Sequence, residues 1–84
     1  MRESVKKFAE EMDHQLDLHA DQYGGDVTWS NTNPVRLHLG IEIQFKRFEK
    51  AVNARKYNRA MEHLVHIGNY CMMLRDVLEE GQRR

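Results

Sequence analysis

Eighty-four residues carry 13 Lys and Arg against 13 Asp and Glu, a formal net charge of zero, with 40% hydrophobic and 31% charged side chains. That length makes one small domain over residues 1–84 with a modest core, which favours self-association, and the balanced charge excludes a general binder of long nucleic acid. No run of 18 apolar residues spans a membrane and Cys71 is the sole cysteine, so the composition reads as a cytoplasmic, self-associating protein with no internal disulfide.

The balance conceals a polarity. Residues 1–26 hold three cations against seven carboxylates, a net −4, whereas residues 34–59 hold seven against two, a net +5. The acidic part predicts a first helix over Ser4–Tyr23. Val5, Phe8, Met12, Leu16, His19 or Ala20, and Tyr23 recur at three- and four-residue steps, Ser4 stands as N-cap, and Gly24-Gly25 as the stop. Gly24 to Asn33 is a loop of turn-forming residues around one large aromatic, Trp29, which either stacks on a base or plugs the end of the core.

Asn33 as N-cap and Pro34 at the first helical position open the second helix. Leu37, Ile41, Phe45 or Gln44, Phe48 and Val52 form its apolar stripe, widened by Leu39 and Ile43, as on a helix with more than one neighbour. Lys46, Arg47 and Lys50 make a cationic patch that either holds phosphate groups or is a solvated face. His38 and Glu42 are a turn apart, a metal-ligand spacing and equally an ordinary surface pair.

Asn53 to Lys56 reads as a short connection to a third helix over Tyr57–Glu80, closed by Gly81. Met61, Leu64, Val65, Gly68, Cys71, Met72, Arg75 and Leu78 follow its helical step, which makes Cys71 a packed thiol. Glu62, His63 and His66 cluster on this helix, and such groups on facing helices are what a bundle uses to hold a metal. The same histidines also suit a core boundary. Asn69, beside Gly68, is expected inside, as a clamp between segments or a ligand contact. The fold class is all-α, a three-helix protomer completed into a larger bundle by a homodimeric or higher assembly. No phosphate-binding glycine loop, serine elbow, Cys-x-x-Cys or His-Glu-x-x-His is present, and no catalytic residue is assigned.

The run Phe8-Ala9-Glu10-Glu11-Met12, then Leu16, Gly24-Gly25 and Trp29, resembles the opening of small phage-type MazG-like proteins. The stretch Glu62 to Leu78, with Asn69, Tyr70 and the pair Met72-Met73 in order, is similar to that family's third helix. The resemblance implies an all-α nucleoside triphosphate pyrophosphohydrolase, dimeric or tetrameric, that uses Mg²⁺ held by Glu-x-x-Glu and Glu-x-x-Asp to release pyrophosphate. In this chain Gln44 and Arg47 stand at the first motif, and His63 and His66 at the second. The His63-Leu64-Val65-His66 stretch also resembles phage dATP/dGTP diphosphohydrolase-type proteins. If the chain is catalytic, Glu42, Glu62 and His66 hold the metal, Mg²⁺ or a transition metal, with His38 and His63 assisting. Lys46, Arg47 and Lys50 then hold the phosphates, and Asn69 and Trp29 the rest of the nucleotide. The alternatives are a non-catalytic nucleotide-binding module, needing no metal, and a purely structural interaction protein.

Overall fold

The computed structural model describes residues 1–19 and 33–82, and these form three helices: α1 (Glu3–Leu18), α2 (Pro34–Asn53) and α3 (Tyr57–Gln82). The all-α expectation holds for them. Trp29, Gly24-Gly25 and residues 20–23 of the expected first helix lie outside the described residues.

Helix ends follow local chemistry, with three departures from expectation. Asn33 caps α2 as its sequence predicts, Oδ1 accepting from the Val35 N–H at 2.8 Å, with Pro34 next. Ser4, in contrast, does not cap α1. The helix starts at Glu3 behind Arg2, and its first-turn carboxylate, Glu3, supplies the negative charge that a helix N-terminus favours. Helix α1 closes at Leu18, where the His19 N–H reaches the Gln15 carbonyl. Gly81 does not stop α3, which continues through Gln82. Nothing lies within 4 Å of a Cβ placed there, so the residue simply sits in an exposed final turn.

Helices α2 and α3 form an antiparallel hairpin joined by Ala54, Arg55 and Lys56. Arg55 adopts a left-handed backbone, φ 58°, while the Lys56 N–H returns to the Ala51 carbonyl at 2.8 Å. The hairpin closes on a near-flush contact. A Cβ on Gly40 would lie 2.9 Å from Cζ of Tyr70, so only glycine lets that ring lie against α2. Among the described residues Leu37, Ala51, Ala60, Val65, Ile67 and Met73 are the buried apolar ones, all on α2 or α3.

Helix α1 packs on α3 alone and makes no close backbone approach to α2. It meets α3 where Gly68 leaves room for Phe8 and Met12: a Cβ on Gly68 would be 2.8 Å from Cε2 of Phe8. No residue of α1 is fully buried. Asn69 is fully buried, as expected, and its Nδ2 donates to the Met12 carbonyl at 3.1 Å, fastening the two helices.

The expected stripes are turned by part of a step. Gln44 and Ala51 face the hairpin, whereas Phe45, Val52, Leu39 and Ile43 are exposed. Alanine and glutamine fit close beside α3, and the bulkier neighbours are displaced outward. Cys71 is exposed rather than packed, because α3 turns Asn69 and Met73 inward and leaves Cys71 on the other side. No described helix is long and apolar enough to cross a membrane.

Candidate functional anion cleft

The basic character of the second segment becomes a site through the hairpin. The last turns of α2 and the first turns of α3 meet beside the tight connection, and their long cationic side chains converge. Arg47, Lys50, Lys56, Arg59 and His63, with Ala51 and Ala54, line a cleft of about 390 Å³. No carboxylate lines it, and none of the four cations forms an ion pair among the described residues. Cations brought together without counter-charges repel one another, and an oxyanion between them removes that repulsion. No acidic side chain in the first turn of α3 offsets the positive end of that helix's dipole.

His63 forms part of the cleft wall. Its Nδ1 donates to Oε1 of Gln44 at 2.7 Å, which orients the ring and leaves Nε2 unused by that bond. Burial, then the charges of Arg47 and Arg59, hold the imidazole below its ordinary pKa, with Glu62 opposing. His66, one turn along α3, packs against the ring of His19 with centroids 5.7 Å apart. Burial, then His19 and His63, lower its pKa as well.

The remaining sequence candidates are dispersed. His38 and Glu42 pair with each other at 3.4 Å on the exposed side of α2. Glu62 lines a hollow between α1 and α3 with Lys7, Glu10, Glu11 and His14. Among the described residues no three His, Cys, Asp or Glu side chains are grouped to hold a metal. The structure thus brings His63 to Arg47 and Lys50 and does not gather Glu42, Glu62, His66, His38 and His63 into one site. Lys46 does not line the cleft, and Asn69 is buried away from it against Met12.

The Mg²⁺ expected from the family resemblance does not fit the residues at those positions. Gln44 is engaged by His63, and Arg47 and His63 wall a cationic cleft that repels a divalent cation. Lys56 and Arg59 escaped the sequence reading because they flank the connection and belong to no helical stripe. Their signal was the cluster of basic residues Arg55, Lys56 and Arg59, folded back beside Arg47 and Lys50 by a short turn. Comparison with protein-family models, curated proteins and solved structures finds no match to this chain.

Proposed function

We propose that the protein binds a nucleoside polyphosphate through its phosphate chain in the cleft between α2 and α3, as a non-catalytic module of MazG-like type. The observation that carries this reading is the convergence of Arg47, Lys50, Lys56 and Arg59 around one cavity with no carboxylate in its wall. Arginine offers paired donors to phosphate oxygens and lysine a mobile point charge, a combination suited to a multiply charged chain. Direct phosphate binding is favoured over hydrolysis because the motif positions hold an amide, one guanidinium and two imidazoles where Mg²⁺-bridged hydrolysis needs carboxylates.

Isothermal titration of the protein with tripolyphosphate and with nucleoside triphosphates, in a metal-free buffer of low ionic strength, tests the reading. Binding should weaken at least about tenfold in Lys50→Glu, the loss of one charge-assisted contact. Lys46→Glu, outside the cleft wall, should change it far less. Absence of binding to every polyphosphate would sink the proposal.

We further propose that the chain self-associates. Val35, Leu39 and Ile43 stand at four-residue steps on α2 and are each about half exposed or more, at 61%, 49% and 49%. Helix α1 contributes no fully buried side chain to the protomer. A second copy seated on the α2 stripe would supply the apolar burial that one protomer lacks.

A further inference from the structure

The cationic cleft does not end at Lys56 and Arg59. Both side chains also line a second, more open hollow of about 430 Å³, completed by Arg55, Tyr57, Asn58 and Glu62. The two cavities therefore adjoin across Lys56 and Arg59, within reach of a ligand held by its phosphates in the first. The chemistry changes from one to the other. The cleft offers cations and a histidine, whereas the hollow, which shares Lys56 and Arg59 and adds Arg55, also offers a tyrosine that is 59% exposed, a primary amide and one carboxylate.

We infer that the hollow is the base subsite of the nucleotide, and that it selects guanine. The inference rests on the phosphate-binding reading of the cleft and adds to it the identity of the group attached to the phosphates. An exposed tyrosine at the edge of a phosphate site provides the flat surface on which a purine stacks, while Lys56 and Arg59 stay with the phosphates. Glu62 supplies the selection. A carboxylate accepts two parallel hydrogen bonds from the N1–H and the exocyclic amine of guanine, but adenine presents an unprotonated N1 beside its single amine. Asn58 can complete the edge with either its donor or its acceptor. Tyr57 and Glu62 both belong to the first two turns of α3, so one rigid element carries the stacking face and the reading group.

The test compares three ligands with the whole protein by isothermal titration in one metal-free buffer: tripolyphosphate, GTP and ATP. GTP should bind at least about tenfold more tightly than tripolyphosphate, the advantage expected of one stacked base. Tyr57→Ala should remove most of that advantage and leave tripolyphosphate binding unchanged, while Tyr57→Phe retains it. Glu62→Gln should bring GTP and ATP to similar affinities, with tripolyphosphate bound no more weakly, since an anion beside the cleft is lost. Circular dichroism should show native helicity for all three variants, since Tyr57 and Glu62 are exposed. Equal binding of GTP and tripolyphosphate by the native protein overturns the subsite. So does Tyr57→Ala weakening both ligands alike, and an unchanged preference for GTP over ATP in Glu62→Gln overturns the guanine assignment. Failure of the underlying reading looks different, because then tripolyphosphate does not bind either.

Discussion

Asn69 illustrates how one side chain ties sequence to fold. Its amide is fully buried, Nδ2 donates to the Met12 carbonyl, and Oδ1 has no hydrogen-bond partner among the described residues. Asn69→Ala loses the clamp and leaves a small void, so it should cost about 1–3 kcal/mol in urea denaturation. Asn69→Asp places an anion beside a carbonyl oxygen and should cost more at neutral pH. Its deficit should shrink on acidification, because a protonated carboxyl can donate to the Met12 carbonyl again. A deficit that stays constant with pH would contradict that account. His66 yields a second residue-scale prediction. Its folded pKa is lowered by burial and by His19 and His63, so the unfolded chain takes up a proton first as pH falls. The stability it contributes is complete above about pH 6.5, the unfolded value, and is lost as pH drops toward the lowered folded one. The melting temperature should therefore fall between about pH 7.5 and about pH 5.5, and less so in His66→Gln, which does not titrate. The burial of Asn69 was legible from its place beside Gly68 in an apolar run. The partners of His63 and His66 were not, because periodicity along a helix says nothing about which turn of another helix it meets.

At the scale of elements, the two helix contacts are unequal. Gly40 lies against the Tyr70 ring inside the hairpin, with Cε1 and Cε2 both 3.1 Å from where a Cβ would be. Gly68 faces the edge of Phe8, a ring that is 37% exposed and has solvent to move into. Alanine gains up to about 1 kcal/mol in helix propensity at either position. At Gly40 the clash should outweigh that gain, for a net loss of about 1–3 kcal/mol. Gly68→Ala should be much closer to neutral as Phe8 swings aside. Urea midpoints of the two variants check the ranking, and equal losses would mean that α1 is held as firmly as the hairpin. The start of α2 was readable because Asn33-Pro34 is a local signal, resolved within two residues. The rotation of α2 about its axis was not, because its apolar residues surround more than half the helix. Packing chose the side with Gln44 and Ala51, the one that lets α3 approach.

For the whole molecule, zero net charge is an average over separated regions. The acidic α1 and the basic α2 both rest on α3 without approaching each other, so the charges that cancel in the total do not cancel in space. This separation lets the cleft keep a positive field despite the zero total, as the proposed binding of a single nucleotide requires. The same arrangement leaves a small core confined to the hairpin and an apolar stripe on its outside. Sedimentation analysis should find an assembly larger than one chain, and Leu39→Glu should shift it toward the monomer with helicity retained. A native protein that is monomeric at high concentration would refute self-association. Fold class was legible from three periodic segments and their punctuation. The site was legible only in part: Arg47 and Lys50 carried a charge pattern, but their joining with Lys56 and Arg59 depended on the sharpness of the turn.

That turn carries its own consequence. Arg55 holds φ at 58°, a conformation in which glycine or asparagine fits more easily than a long side chain, and it does so on the rim of the hollow beside Tyr57. Replacing it with glycine should relieve about 1 kcal/mol of backbone strain and raise the melting temperature. The same replacement removes a cation from the hollow beside the cleft and, on the proposed function, should slow the capture of a polyphosphate. A variant both harder to melt and slower to load would mark Arg55 as a place where durability has been given up for the speed of capture.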